Sequence, residues 1–276
     1  SIPVSSYENW CSTGRARHQE YLATLESEGE LVKQIFDKSR STYGCRRIQA
    51  VLAKQHDTYF DLKKILRIMK HKNLVSHMET RKRKKIATTI DDGKGIYPCD
   101  LVGRKFTRIK PDELYYGDIT YLPYGYNKNM FLATVIDACT KRVVGYCIDN
   151  NMRKELVIKA LEEALKMKNT PETEPVIFHS DRGGQYRSNK LIKLCDKNGG
   201  HVKRSMGKTG VCYDNAPAES FFSTLKIECP QLAEPRYLTP TKIINIIENY
   251  IHFYNTERLH STIGYLTPQQ QDQKAA

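Results

Sequence analysis

The sequence predicts an α/β domain, with a mixed five-stranded sheet flanked by helices, behind an all-α region containing a helix-turn-helix. Three observations carry that expectation. Apolar residues recur at helical spacing from about Arg15 to Asn73. After Leu114 come three β-rich runs separated only by short turns. Helical and strand-like segments then alternate towards the end of the chain. Consecutive strands followed by alternating helix and strand are the pattern of a sheet covered by helices.

In the front region Leu31, Ile35 and Phe36 mark one helix, and Ile48, Val51 and Leu52 mark a second, entered through Tyr43-Gly44. Leu62, Ile65, Leu66 and Met69 mark a third. Asp61 is its expected N-cap, since a side-chain oxygen there accepts from an otherwise orphaned first-turn N–H. Lys63, Lys64, Arg67 and Lys70 lie opposite the apolar stripe, and Arg46 and Arg47 add charge beside it. A basic helix in a tight helical pair matches a phosphate backbone, although a small bundle with a solvated charged face has the same pattern. Residues 1–80 are expected to bind DNA, with Arg46, Arg47, Lys63, Lys64 and Arg67 as candidate contacts. The run RKRKK at 81–85 and the polar stretch behind it make 81–110 a basic linker.

Residues 111–276 form the expected working domain. Strand runs at 115–124, 130–137 and 142–149 are joined by turns containing Gly125, Asn127 and Thr140. Val157, Ala160, Leu161, Ala164 and Leu165 share a helical face. A strand at 175–179, a helix at 188–198, a strand at 202–205 and a helix bearing Glu219 follow. The next helix opens on Thr239 as N-cap and Pro240 at its first position, with Ile243, Ile247, Tyr250, Ile251 and Tyr254 on its apolar face.

Charge is distributed unevenly. Of the net +13, residues 1–110 carry 23 basic against 12 acidic side chains and residues 111–276 carry 21 against 19. A basic front half on a nearly neutral back half points to a polyanion partner. No apolar stretch approaches the roughly 20 residues that span a bilayer. The eight cysteines, at 11, 45, 99, 139, 147, 195, 212 and 229, form no CxxC pair and no zinc-like spacing. Reduced thiols in a cytoplasmic protein are the expected state.

Three acids carry the chemistry. Asp118 lies inside the strand-like YYGDITYLPY, Asp181 just past the strand PVIF in a glycine-containing turn, and Glu219 in the first turns of a helix after Asn215. Each has a structural alternative: Asp118 as a turn residue, Asp181 as an Asx cap, Glu219 as a dipole-favoured first-turn acid. Together they can hold Mg²⁺, a hard cation that takes carboxylate oxygens and keeps waters and substrate phosphate oxygens. Such a site runs phosphodiester chemistry. Lys226, seven residues after Glu219, falls on the same helical face as Glu219 and Phe222, while Phe221 and Leu225 face the core. A surface lysine is the alternative reading.

The segments GDITYLP, IDACTKRVVGY, FHSDRGGQYRS, SMGKTGVCYDNAPAESFFSTLK and YIHFYNTERLHSTIGYLTP resemble those of bacterial insertion-sequence transposases of the second-reading-frame (OrfB) type. STYGCRRIQAVL resembles that family's helix-turn-helix region, and the resemblance covers nearly the whole chain. It implies a retroviral-integrase catalytic core, ribonuclease H-like, with Asp118, Asp181 and Glu219 as the metal-binding catalytic triad and Lys226 on the element's terminal DNA. The implied activity is Mg²⁺-dependent cutting of element ends and strand transfer, with Mn²⁺ as a substitute metal. The implied partners are terminal-repeat and target DNA, further copies of the chain in the DNA complex, and the upstream-frame (OrfA) protein. The implied location is the cytoplasm, at the nucleoid.

Two departures stand against the pattern. The family usually places 35 residues between the second Asp and the Glu, whereas 37 separate Asp181 from Glu219 here, with the two extra expected near 197–201. The chain opens at SIPVSSYENW, part-way through what the family continues upstream. A catalytically inactive DNA-binding regulator and a structure-selective nuclease on the same core remain alternatives.

Overall fold

The computed structural model describes residues 3–78, 97–103, 105–168, 174–197, 201–207 and 215–275. The RKRKK run at 81–85 and the position expected for the two extra residues, centred on 198–200, lie outside the described residues. The chain divides into two compact units, Ser1–Lys82 and Arg83–Ala276.

In the first unit a short helix α1 (Val4–Asn9) runs through one π-helical segment (Trp10–Gly14) into α2 (Arg15–Lys38). Helices α3 (Cys45–Gln55) and α4 (Leu62–His71) follow. Val32, Ile35, Phe36, Ile48, Leu52, Ile65 and Ile68 are all buried, so the three longer helices share one core. The N-cap is as expected: Asp61 accepts from the Lys64 N–H at 2.8 Å. Leu66 departs from its expected place, being 49 % exposed. The buried stripe centres on Ile65, Ile68 and Met69, and at 100° per residue Leu66 falls beyond its edge.

The second unit is built on β1 (Leu114–Tyr124), β2 (Lys128–Asp137), β3 (Val143–Asp149), β4 (Val176–Ser180) and β5 (Val202–Met206), in the sheet order β3-β2-β1-β4-β5. The first three pair antiparallel, and β1–β4 and β4–β5 pair parallel. Helices α5 (Lys154–Lys166) and α6 (Asn189–Lys197) cover one face. Helices α7 (Ala216–Glu228) and α8 (Pro240–Thr256) cover the other, and α9 (Pro268–Ala275) follows. This is the mixed five-stranded, helix-flanked sheet that the sequence predicts.

Strand alternation sorts the side chains. Tyr115, Ala133 and Val135 join the α5/α6 core, whereas Leu122, Leu132 and Ile136 join the α7/α8 core. At Gly145 on β3 a Cβ would run into the α5 backbone at Ala160 and Ala164, so glycine there is what lets α5 lie close on the sheet. Helix α8 keeps its predicted cap, Thr239 Oγ1 accepting from the Lys242 N–H at 3.3 Å, with Pro240 at its first position.

Candidate active site

Asp118 stands on the α7/α8 face of β1, between the stripe of Leu114 and Tyr116 and that of Leu122. The parallel register of β1 with β4 pairs Leu114 with Ile177 and Tyr116 with His179. Continuing it by two residues sets Asp181, one residue past the end of β4, beside Asp118. Two carboxylates thus lie side by side where β4 ends against the middle of β1. The third, Glu219, is exposed in the first turn of α7.

Local hydrogen bonds fix the two aspartates. Asp118 Oδ1 accepts from the Ile119 N–H at 2.8 Å. Asp181 Oδ1 accepts from the Gly183 N–H at 2.9 Å, the Asx geometry that its turn sequence predicts. Gly117, preceding Asp118, is a close-approach position: a Cβ there would stand 2.5 Å from the Phe178 ring and 3.3 Å from that of Tyr186. Both rings are buried, Phe178 on β4 and Tyr186 in the turn after Asp181, so their packing draws the two aspartate-bearing segments together.

The electrostatics follow from this crowding. Burial first, then the charges of Asp181 and Glu219, push the Asp118 carboxyl up to about 8, while the Ile119 N–H and the Lys226 charge pull the other way. Burial raises Asp181, partly offset by the Gly183 N–H. Burial also raises Glu219. The Tyr186 phenol is driven well above its ordinary range by burial and by the charges of Asp118 and Asp181. All three predicted acids and Lys226 therefore share one field centred on Asp118. They do not close into a ready-made cage: among the described residues, no three Asp, Glu, His or Cys side chains gather within metal-binding range of one point.

The donor set fits a hard divalent cation. Two half-buried aspartates on neighbouring segments, one of them raised further by the charges of Asp181 and Glu219, are acids whose charge a dication would neutralise. Asp137 and Asp149, at the ends of β2 and β3, serve as turn residues instead. Asp137 accepts from the Cys139 and Thr140 N–H groups, and Asp149 from that of Asn151. Asp214 lies outside the described residues.

Two features of α7 differ from expectation. Phe222 is buried at 6 % exposure with Phe221 at 3 %, so the apolar face of the helix is wide enough to take both rings, and only Glu219 and Lys226 of the expected face remain outward. Asn215, a residue type suited to an N-cap and standing at that position, makes no side-chain cap. Its Nδ2 instead donates to the Gly117 carbonyl at 3.1 Å, tying the start of α7 to β1 next to Asp118. The glycine before Asp118 was the only signal in the sequence for either tight contact.

Comparison with known proteins bears on this arrangement. Models described as "Integrase core domain" match residues 109–212 and 201–268, and one described as "HTH-like domain" matches residues 25–85. The chain is 33 % identical to the "Insertion element IS600 uncharacterized 31 kDa protein" of Shigella sonnei, over 97 % of this chain and 93 % of that protein. It is 30 % identical to "Transposase InsF for insertion sequence IS3A" of Escherichia coli (strain K12), over 99 % of this chain and 91 % of that protein. The chain belongs to the insertion-sequence transposase family of the IS3, OrfB type. Its fold is that of retroviral integrase cores: a chain of the simian T-cell lymphotropic virus intasome in complex with PP2A regulatory subunit B56 gamma aligns with TM-score 0.51 and 17 % identity, over 81 % of this chain and 70 % of that one.

In the HTH-like unit of this transposase the candidate contacts fall into two groups. Arg46, Lys63, Arg67 and Lys70 are exposed. Lys63, Arg67 and Lys70 lie together on the side of α4 away from Ile65. Lys64 is engaged within the unit, its Nζ donating to Glu28 Oε1 at 2.7 Å and lying 4.2 Å from the Phe60 ring centre. Arg47 packs over Tyr43 at 5.5 Å and its Nη1 donates to the Thr42 carbonyl at 3.5 Å. Among the described residues no helix is long and apolar enough to cross a membrane.

Proposed function

We propose that this transposase cuts DNA at the ends of its element and joins the exposed 3′-hydroxyl to a new phosphodiester, using Asp118, Asp181 and Glu219 to hold Mg²⁺, with Mn²⁺ as a substitute. The single observation that carries this reading is the crowding at Asp118: an acid raised to about 8 by burial and by the charges of two further acids from a neighbouring strand end and a helix. Perturbed carboxylates grouped on neighbouring segments mark a candidate functional site.

The chemistry supplied by bound Mg²⁺ is Lewis acidity towards the attacking and leaving oxygens of an in-line displacement at phosphorus. Asp118 and Asp181, fixed by backbone N–H groups, present oxygens in a set geometry. Glu219, exposed on α7, would supply the third carboxylate. Lys226, two turns on and outward, places a positive charge where a terminal phosphate would lie. In the first step water replaces the 3′-oxygen at phosphorus, leaving a free 3′-hydroxyl. In the second that hydroxyl attacks another phosphodiester; one P–O bond forms as one breaks, so no external energy source is needed.

Residues 1–80 would supply terminal-repeat binding through Arg46, Lys63 and Arg67, with 81–110 as a basic tether and 111–276 as the catalytic core. Target DNA, further copies of the chain on paired ends, and the upstream-frame protein complete the assembly, at the nucleoid in the cytoplasm. The test is end cleavage and strand transfer by the full chain in MgCl₂, on a duplex carrying the repeat that flanks its own gene. Asp118→Asn is expected to lose both activities while retaining DNA binding; full activity in that variant would sink the assignment. The open spacing of the three acids favours one competing reading, an inactive DNA-binding regulator. Under that reading the unmodified chain binds the duplex and cuts nothing in either Mg²⁺ or Mn²⁺.

A further inference from the structure

We propose that Arg258 is a positioning residue for Glu219, acting through a buried clamp on the far end of α7. The inference rests on the reading of Glu219 as a metal ligand given above.

The clamp is defined by its contacts. Arg258 Nε donates to Glu228 Oε2 at 2.7 Å and Nη2 to Glu228 Oε1 at 2.8 Å, a two-pronged pair. The Tyr250 hydroxyl donates to Glu228 Oε2 at 2.9 Å. The side chains of Arg258 and Glu228 are 4 % and 0 % exposed. Arg258 also meets His260 Nε2 at 3.1 Å and lies over the Tyr254 ring at 5.5 Å. Tyr254 packs edge-on against Phe221 at 4.8 Å and against His260 at 4.6 Å. Side chains from 250–260 thus grip α7 twice, at Phe221 and at Glu228.

The grip sets rotation as well as place. Glu228 follows Glu219 by nine residues, two and a half turns, so an anchor on the buried side holds Glu219 on the outward side. A slip of α7 by one residue would turn Glu219 by about 100° away from Asp118. At the other end Asn215 fixes the helix to the Gly117 carbonyl. The helix therefore spans two directional anchors, one beside Asp118 and one on Arg258.

Stability alone does not explain a charged anchor here. A buried ion pair gains little over a well-packed apolar pair of the same volume, whereas removing one partner is costly. What the bidentate fork adds is direction: the planar guanidinium accepts one orientation of the Glu228 carboxylate.

The experiment titrates the full chain with MnCl₂, following free Mn²⁺ by electron paramagnetic resonance, and measures the melting temperature of each variant. Arg258→Lys keeps the charge but loses the fork; Arg258→Met with Glu228→Leu removes both charges together, so the helix end is not left with one unpaired ion. Arg258→Lys is expected to weaken Mn²⁺ binding about tenfold or more. The double variant is expected to melt near the unmodified protein and still bind Mn²⁺ weakly. Unchanged Mn²⁺ affinity in Arg258→Lys, or full affinity in the double variant, would overturn the clamp and leave an ordinary structural ion pair. Asp118→Asn separates the two levels: if it binds Mn²⁺ as the unmodified chain does, the triad reading itself fails and the clamp loses its purpose with it.

Discussion

At Asp118 burial and the neighbouring Asp181 charge raise the carboxyl to about 8, so the folded, metal-free chain retains a proton that the unfolded chain releases near pH 4. The contribution to stability is full below the unfolded pKa and is lost as pH rises through the folded one. Metal-free protein should accordingly lose stability between about pH 4 and pH 8, and Asp118→Asn should remove that loss. With Asp118 partly open to solvent, the expected gain for the variant at pH 8 is about 2 kcal/mol, read as a higher melting temperature in EDTA than the unmodified chain. Equal melting temperatures at pH 8 would mean that the site is not strained. The three acids were legible in the sequence because each sits in or beside a recognisable element: Asp118 within β1, Asp181 just past β4 and Glu219 in the first turn of α7. The interactions that draw them together were not: Asn215 reaches Gly117 across 98 residues, and the Phe178 ring, with Tyr186 behind it, fills the hollow that Gly117 leaves. Long-range complementarity of that kind has no local pattern.

Among the elements, α7 and α8 show how the site is carried. Phe221, 3 % exposed, packs edge-on with Tyr254 at 4.8 Å and lies 5.6 Å from Phe222. Phe221→Ala should cost about 3–5 kcal/mol, measured as a shift of the urea midpoint, because the cavity sits between two helices and the sheet. A cost below about 1 kcal/mol would mean that α7 is not anchored by this ring. The periodic elements were the legible ones. The α8 apolar face of Ile243, Ile247, Tyr250, Ile251 and Tyr254 is buried throughout. The segments without period were missed: α1, α9 and the short 3-10 turns at Pro230–Ala233, Pro235–Tyr237 and Ser261–Ile263. Short turns are set by what they pack against, which a local window does not contain. Leu66 failed for a related reason: it lies about 100° round the helix from Ile65 and about 160° from Ile68, and only tertiary packing shows that the buried stripe runs through Ile65 and Ile68.

For the whole molecule the asymmetry of charge is the governing fact, with 23 basic against 12 acidic residues in 1–110. If that half binds DNA through the exposed face of α4, affinity should fall steeply with salt. Replacing Lys63, Arg67 and Lys70 together by Ala should reduce the slope of log K against log [NaCl] by up to about 3, roughly 0.9 for each phosphate no longer neutralised. An unchanged slope would place the DNA elsewhere. The α/β architecture was readable because three hairpin strands and alternating helices admit few arrangements. The relation between Asp181 and Glu219 was not, because it passes through 37 residues of which 198–200 and 208–214 lie outside the described ones. The most direct test of the account is anomalous diffraction at the manganese edge, from the full chain bound to its terminal-repeat duplex in MnCl₂. The account predicts a manganese peak ligated by Asp118 and Asp181 with Glu219 joining the same centre. Density held by the two aspartates with Glu219 turned away, or no peak beside Asp118 and Asp181, would contradict it.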